Sequence, residues 1–553
     1  MATESHETII ASSETQSKGP GLRSWLLQVS LFAILAAGWK LFLLHRGAFP
    51  FNADEAIVGL MARHILAGEM PIFFYGQAYM GSLDAFLAAG MFRLAGTDVA
   101  SIRYVQIALY AITTGSTVAL AWKWTQSRLA ALAAGLLMVF PAVNTTLYTT
   151  VSLGGYGEAL LLGSLHLHLA YATEKHGLSR RLLVLWAFLT GFGVWVFGLT
   201  LVFSLATAMV FLQAQRATET KLEGQWFLWM VIAGMVGASP WLIAGLRDGF
   251  PALLQELLGS AIANPSGGGF LGSISTRLIN VLLFGPTVVL GFRPPWSADP
   301  LAPGWIPFVL AFWFLVAFTL IQRRRSSRSR KPGWKSLLWI VLFTTGGLIL
   351  TPFGGDPSGR YFLPLLFPIV LGAAVAVGEE NRGTHRWLLT GLLLVTAAFH
   401  VRSTIKTAGT FPGITTQFDP VTWIDHEYDD DLQAFLAQEG LTTGYSNYWV
   451  SYPLAFQSEE TLIYLPWLPY HQDLRYTNRD DRYAPYLARV ADAERIAYIT
   501  THHSELNALL EARFDAQGVE YSVEVIGDYH VYYGFPQPLH PEELDLPWLD
   551  SAP

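Results

Sequence analysis

Two adjacent carboxylates, Asp54 and Glu55, follow the first long apolar stretch of the chain. A carboxylate can accept a proton from an attacking nucleophile, and a guanidinium binds anions through charge-assisted hydrogen bonds. The same two residue types recur beside other apolar stretches, at Arg63, Glu158, Arg293, Asp356 and Arg360. If they meet in space, these groups could transfer protons and stabilise a developing negative charge.

The pair also has a purely structural interpretation. Asn52 or Asp54 would cap a following helix, and a carboxylate in the first helical turn is favoured by the positive helix end. Each of the other charged residues could be a solvated or snorkelling side chain at the end of a membrane span. A capping role predicts nothing about the remaining sequence, however. Carboxylates and arginines that gather at one mouth of a helix bundle favour a functional site.

The composition shows what must position these residues. Of 553 residues, 52% are hydrophobic and only 14% are charged, against a usual charged share of about 25%. A chain with so little charge cannot cover a soluble surface, and we therefore predict a membrane protein. The absence of cysteine excludes disulfides, thiolate nucleophiles and cysteine-ligated metals.

A membrane helix needs about 20 mostly apolar residues, and this criterion predicts eleven spans. They lie near 25–45, 99–122, 127–147, 155–173, 181–196, 198–214, 226–246, 305–322, 335–352, 361–378 and 386–401. With eleven spans, the basic clusters, of which Arg323–Arg325 is the densest, all fall on the side of the N-terminus. Because basic residues are retained in the cytoplasm, that side is cytoplasmic. Residues 1–24 are then a disordered cytoplasmic tail, in a multi-pass protein of the cell (inner) membrane.

Two long loops remain on the outer side, at 46–98 and 247–304. In the first loop, apolar residues at 57, 60, 61 and 65 predict an amphipathic helix lying along the membrane surface. An extended aromatic segment from Pro71 to Gly81 and a short helix from Ser82 to Leu94 follow. In the second loop, the apolar stretch 278–292 is expected to lie in or dip into the interface.

The C-terminal part, 403–553, holds 24 of the 42 acidic residues and 7 of the 35 basic ones, so its net charge is −17 while the remainder carries +10. Such acidity argues against nucleic acid as a partner. Helix-like and strand-like pieces alternate along it, which predicts a soluble, extracytoplasmic α/β domain beside the membrane domain of 25–402.

The sequence resembles the GT-C membrane glycosyltransferases, in particular bacterial relatives of protein O-mannosyltransferases and lipid A aminoarabinose transferases. The resemblance rests on Asp54-Glu55 after the first span, the helix that follows, the segment from Phe74 to Gly81, and Gly359-Arg360-Tyr361-Phe362-Leu363-Pro364 near a late span. It covers roughly residues 25–400.

This resemblance implies a GT-C fold and transfer of a sugar, with inversion, from a polyprenyl-phosphate donor to an extracytoplasmic glycan, lipid or protein. Asp54 then matches the general base and Glu55 its acidic neighbour. Arg63, Arg293 and Arg360 are the candidates for binding the donor phosphate. Glu158, Asp356, Tyr75 and Gln77 are assigned to a second acidic or acceptor site. The aromatic stretches 445–452 and 466–476 could stack on sugars or simply pack in the core.

Cofactor use stays open, since a divalent cation could assist. Asp429-Asp430-Asp431 contains the Asp-x-Asp pattern of metal-dependent enzymes, but it precedes a helix-like run and is read as an acidic helix start. His166 and His168 have no helical pair spacing with Glu158, and His471, His502 and His503 are read as surface residues. The sequence shows no phosphate-binding P-loop and no nucleophile elbow.

Two other classes compete with an enzyme: a polytopic transporter or lipid flippase, and a catalytically inactive scaffold. Transporters usually show internal repeats and polar groups at mid-membrane. Here the ionisable residues cluster at one rim of the predicted bundle, which favours the transferase.

Overall fold

The computed structural model describes residues 22–218, 224–258, 270–325, 333–379 and 383–549. Most of the predicted cytoplasmic tail, and part of the basic cluster after Arg325, lie outside these ranges. The chain is mostly helical and consists of a helical membrane domain followed by a domain built on a β-sheet. The helices of the membrane part are α1 Leu22–His45, α2 Ala53–Leu66, α3 Leu83–Ala95, α4 Val99–Thr125, α5 Arg128–Val139, α6 Val143–Tyr148, α7 Tyr156–His176, α8 Arg180–Val196, α9 Leu201–Thr218, α10 Gly224–Gly237, α11 Ser239–Ala244, α12 Phe250–Leu257, α13 Phe270–Ile279, α14 Gly285–Val289, α15 Ile306–Arg325, α16 Trp334–Leu350, α17 Leu366–Glu379 and α18 Gly383–Ala408.

Every predicted span contains a helix, and the prediction of a multi-pass helical membrane protein is confirmed. Within the described ranges, six helices are both long and apolar enough to cross a bilayer, and a seventh is added if α10 with the sharply bent α11–α12 segment counts as one span. Several predicted spans are short or interrupted; α5, for instance, stops before Pro141 and the chain resumes as α6. The number eleven therefore stays a prediction.

The first outer loop follows the predicted order of elements. Asn52 caps α2, with its side-chain oxygen accepting a hydrogen bond from the Glu55 backbone nitrogen at 3.1 Å. The strands β1 Phe73–Phe74 and β2 Gln77–Gly81 form a hairpin, and α3 comes next. The position of α2 along the membrane surface stays a prediction. Ten of its fourteen residues are buried, because α3, α4 and a helix of the C-terminal domain pack around it.

The second outer loop contains α12, α13 and α14, the last two joined by a π-helical segment at Asn280–Phe284. The Asn280 side-chain amide donates hydrogen bonds to the carbonyl oxygens of Gly354 and Gly355, at 3.0 and 3.1 Å. The apolar stretch 278–292 is thereby attached to the turn that precedes Asp356. Its depth in the membrane remains a prediction.

The C-terminal domain has the predicted α/β character. Its five-stranded sheet has the order β4-β3-β5-β7-β6. Strands β4, β3 and β5 are parallel to one another, and β7 is antiparallel to both of its neighbours, β5 and β6. Its elements are α19 Asp429–Glu439, β3 Thr443–Tyr445, α20 Tyr448–Gln457, β4 Ile463–Leu465, α21 Pro485–Ala491, β5 Ala497–Thr500, α22 Ser504–Ala516, β6 Ser522–Ile526 and β7 Tyr529–Tyr533. Helix α18 continues to Ala408, so the domain begins a few residues after the predicted boundary at 402/403.

The two domains are docked through α2 and α20. The Phe456 ring is 2% exposed, and a Cβ atom on Gly59 would come within 2.4 Å of it. The Arg63 guanidinium lies 4.2 Å from the centre of the same ring and donates a 2.6 Å hydrogen bond to the Phe456 carbonyl oxygen. This packing brings the start of α20 against the start of α2, where Asp54 lies.

Candidate active site

Asp54 is partly accessible, whereas its neighbours Ala53 and Glu55 are completely buried. The Tyr448 hydroxyl, at the first residue of α20, donates a 2.6 Å hydrogen bond to Asp54 Oδ1. Burial, reinforced by Asp54, raises the pKa of Tyr448, so the hydroxyl keeps its proton and remains a donor. No described residue donates a hydrogen bond to Asp54 Oδ2. One oxygen is thus held by the C-terminal domain, and the other is open to a substrate.

Glu55 points the opposite way, into the protein. Its carboxylate pairs with Arg103, at 2.8 Å between Arg103 Nε and Oε1 and 2.6 Å between Nη2 and Oε2. Arg103 also donates to the carbonyl oxygens of Phe49 and Pro50, at 3.1 Å each. Burial raises the pKa of the Glu55 carboxyl despite the opposing Arg103 charge. Glu55 therefore fixes the backbone that carries Asp54 and lies outside contact with a substrate.

Asp356 and Arg360, assigned to different sites from the sequence, form an ion pair. The distance from Arg360 Nε to Asp356 Oδ2 is 2.6 Å, and the Ser358 backbone nitrogen donates to the other carboxylate oxygen at 2.8 Å. The Arg360 side chain keeps 31% of its exposure, although its electrostatic neighbours Tyr148 and Tyr156 are nearly inaccessible. This guanidinium therefore faces a recess lined by tyrosines, and Asp356 already compensates its charge.

Arg482 reaches the same recess from the C-terminal domain. Asp54, Arg360 and Arg482 are all electrostatic neighbours of Tyr79, whose side chain is 5% exposed. The Gln77 amide joins the two sides: with its oxygen and nitrogen assigned so that both find partners, the nitrogen lies 3.1 Å from the Tyr79 hydroxyl and the oxygen 2.9 and 2.8 Å from Arg482 Nη1 and Nη2. We call this region, bordered by Asp54, Tyr79, Arg360, Tyr448 and Arg482, the Asp54 recess.

Glu158, predicted to belong to an accessible second acidic site, is instead 3% exposed. Its carboxyl lies within hydrogen-bonding reach of Asp84, although neither Glu158 oxygen has a donor among the described groups. Burial raises the pKa of Asp84, which also accepts hydrogen bonds from Gln106 at 2.9 Å and Ser152 at 2.5 Å. Glu158 is therefore a buried carboxyl that does not reach the accessible oxygen of Asp54.

Three other predicted site residues do not reach the Asp54 recess. Arg63 is bound to Phe456 at the domain interface. Arg293 is 9% exposed and donates only within its own loop, to Phe284, Thr287, Pro294 and Ser297. Tyr75 stacks on Tyr483 at 4.8 Å and shares hydrogen bonds with His64 and Glu69. All three were assigned from their place in the chain, and their side chains have other structural partners.

No group of three or more His, Asp or Glu side chains in the described ranges could hold a metal ion. Asp429 begins α19, as predicted, and its carboxylate accepts hydrogen bonds from Tyr529, Gln457 and His426. A basic cavity of about 570 Å³, lined by residues that include Lys123 and Lys175, lies toward the far end of α4. Arg103, which contacts Glu55, lies near the start of α4, and Lys123 lies near its end. At 1.5 Å per helical residue, the cavity is roughly 30 Å from the recess.

The structure reveals four residues that sequence reasoning missed. Tyr448 lies in an aromatic stretch noted for possible stacking, but nothing connected it with Asp54. Arg103 lies within the predicted span 99–122, and a charge inside an apolar span usually has a buried partner. That signal was present. Asp84 and Arg482 carried no comparable signal, because their environment is created by segments distant in the chain.

Asp480, close to Arg482, makes the stability of the C-terminal domain depend on pH. Burial raises the pKa of its carboxyl to about 7, with Arg482 opposing and Asp54 adding to the effect. A carboxyl whose pKa is higher in the folded protein binds more protons folded than unfolded, so stability falls as the pH rises from about 4 to about 7.

Asp480→Asn should remove this loss. We expect the wild-type protein to lose about 2 to 3 kcal/mol relative to the variant between pH 5 and pH 8. Thermal unfolding of the full chain in detergent at both pH values measures the difference, with the exposed Asp492→Asn as the control. An equal stability difference at both pH values would contradict the prediction.

No protein-family model matches the sequence, and no curated protein matches it either. Solved structures do share its fold. ArnT from Cupriavidus metallidurans bound to undecaprenyl phosphate aligns with a TM-score of 0.57 and 14% identity, over 93% of this chain and 98% of that one. ArnT in the apo state gives 0.56 and 14%, over 92% and 98%. The apo oligosaccharyltransferase of Archaeoglobus fulgidus gives 0.50 and 12%, over 87% and 70%. The predicted GT-C fold is confirmed.

Proposed function

We propose that this protein is a membrane glycosyltransferase that moves a sugar from a polyprenyl-phosphate donor to an acceptor outside the cytoplasm. The observation that carries the proposal is Asp54, with one carboxylate oxygen held by Tyr448 and the other open to the recess. The ArnT structure with undecaprenyl phosphate, which shares the fold over nearly its whole length, supports a lipid-linked donor.

The chemistry follows from the groups in the recess. An acceptor hydroxyl oxygen attacks the anomeric carbon of the sugar and loses its proton to Asp54 Oδ2. The bond from that carbon to the phosphate oxygen breaks, and its electron pair leaves with the polyprenyl phosphate. A single displacement of this kind inverts the anomeric centre. Because the phosphate gains negative charge as it leaves, a nearby guanidinium lowers the barrier.

The remaining predicted roles are adjusted to the geometry. Arg360, paired with Asp356, borders the recess on the membrane side and is kept as a donor-side residue. Glu55 positions the backbone around Asp54 through Arg103, and the buried Asp84 and Glu158 do not contact the substrate. We further propose that the recess faces outward from the inner membrane, with the N-terminus in the cytoplasm and the C-terminal domain outside, as the basic residues predict. A divalent cation is not required by these steps.

The proposal is tested in a deletion strain of the source organism. Loss of the enzyme should cause one polyprenyl-linked sugar to accumulate and one envelope glycan, glycolipid or glycoprotein to lose that sugar. Lipid extraction with mass spectrometry identifies the donor, and comparison of glycans identifies the acceptor. Complementation by the wild-type gene should reverse both changes. A strain with unchanged lipid-linked sugars and unchanged glycans would contradict a transferase.

A further inference from the structure

Arg482 is a half-buried arginine whose Nε has no hydrogen-bond acceptor in the described part of the chain. Arg103 pairs with Glu55 and Arg360 with Asp356, while Arg63 and Arg293 are satisfied by carbonyl and hydroxyl oxygens. In the described part of the chain, no carboxylate lies within 4.0 Å of the Arg482 guanidinium. Its Nε is buried and has no hydrogen-bond acceptor there.

The guanidinium is nevertheless held firmly. Its Nη1 and Nη2 contact the Gln77 oxygen, and Nη1 also donates to the Gly76 carbonyl oxygen at 3.3 Å. The Tyr448 ring lies beneath it at 5.5 Å. Gly76 has a φ of +70°, and a Cβ atom there would come within 2.7 Å of Arg482 Cδ. The hairpin of the first outer loop is therefore shaped to admit this side chain.

A guanidinium remains charged at every physiological pH, and removing it from water without a partner is costly. Asp54 and Asp480 are electrostatic neighbours of Arg482, but neither makes contact with it. An Arg that is fixed, charged and lacking an acceptor for one N–H is suited to bind an anionic ligand. Its planar fork matches a phosphate or carboxylate especially well.

The position of Arg482 favours the phosphate of a membrane lipid. The preceding turn is attached to the second outer loop by a 3.1 Å ion pair between Arg479 and Glu256 of α12, the helix that continues the bent apolar segment α10–α11. A headgroup rising from the bilayer beside that segment would meet Arg482. Arg360, the alternative donor-side cation, already has a carboxylate partner.

We propose that Arg482, contributed by the C-terminal domain, binds the phosphate of the polyprenyl carrier. This deepens the proposed function and rests on it. The C-terminal domain would then be part of the donor site, and its docking on α2 would complete the active site. Tyr448 contacts both groups, because its hydroxyl donates to the proton acceptor Asp54 and its ring lies 5.5 Å from the Arg482 guanidinium.

The test measures binding of undecaprenyl phosphate to the purified full chain, by native mass spectrometry or thermal stabilisation. We expect Arg482→Gln to weaken binding at least tenfold and Arg482→Lys to weaken it less, since the charge remains but the fork is lost. Arg475→Gln is the matched control, because Arg475 is an exposed arginine of the same segment that pairs with Asp473. Unfolding midpoints verify that each variant is folded.

Kinetics separate the possible outcomes. An increased KM for the lipid donor in Arg482→Gln supports the proposal. An increased KM for an anionic acceptor alone would assign the anion to the acceptor and overturn it. Unchanged lipid binding by Arg482→Gln, with loss in Arg360→Gln, would also overturn it. If the wild type neither binds undecaprenyl phosphate nor transfers sugar, the proposed function itself fails. If the wild type transfers sugar and Arg482→Gln binds the lipid and transfers sugar as the wild type does, this inference fails while the proposed function stands.

Discussion

Asp54→Asn is expected to lower the rate of sugar transfer by about 100- to 10,000-fold, the usual contribution of a general base. Asparagine has the size of aspartate, and its carbonyl oxygen can still accept the hydrogen bond from the Tyr448 hydroxyl. The recess should therefore keep its shape while losing the group that takes the acceptor proton. The measurement is single-turnover transfer from the lipid-linked sugar that accumulates in the deletion strain.

The control for Asp54→Asn is Asp299→Asn, which removes an exposed carboxylate from the second outer loop. It should leave the transfer rate unchanged. Both variants should unfold at the wild-type temperature. A fully active, folded Asp54→Asn protein would contradict the assignment of Asp54 as the general base. A transporter or scaffold would be expected to tolerate this change without loss of its activity.

Arg103→Ala is expected to destabilise the protein by about 3 to 5 kcal/mol, because it leaves the Glu55 carboxylate buried without its partner. The loss extends to the carbonyl oxygens of Phe49 and Pro50, which also lose their donor. These residues lead directly into α2, so we also expect transfer to fall as Asp54 shifts. Thermal unfolding in detergent measures the first effect, and residual transfer measures the second.

A double variant distinguishes the unpaired charge and the cavity from the lost hydrogen bonds to the Phe49 and Pro50 carbonyl oxygens. Replacing both partners by apolar residues of similar volume, Glu55→Leu with Arg103→Met, removes the uncompensated charge and should regain much of the stability. If Arg103→Ala unfolds within about 1 °C of the wild type, the buried pair contributes little. If the double variant is no more stable than Arg103→Ala, the lost hydrogen bonds to the Phe49 and Pro50 carbonyl oxygens are the main cause, because both variants lack that donor.

The membrane character of the chain and the position of its spans could be predicted from sequence, because a run of apolar residues decides locally whether a segment prefers lipid to water. The same holds for α2, for which Asn52 and Asp54 were both candidate caps, for the extended segment Pro71–Gly81, whose pairing as a hairpin was not predicted, and for the alternating elements of the C-terminal domain. The Asp356–Arg360 ion pair could also be inferred from the sequence, since its two residues are four positions apart. All of these depend on neighbours in the chain.

The direction of each charged side chain could not be predicted in this way. Asp54 and Glu55 are adjacent, yet packing turns Glu55 toward Arg103, 48 residues away, and Asp54 toward Tyr448, 394 residues away. Among the arginines, Arg63 and Arg293 have alternative acceptors, and Arg482 enters the recess only because α20 docks on α2. Composition and periodicity determined which segments are embedded in lipid. The docking of the two domains decided which charges are compensated and which remain open to a substrate. The reason is that a charge buried in the low-dielectric interior needs a partner, and that partner comes from a segment far away in the chain.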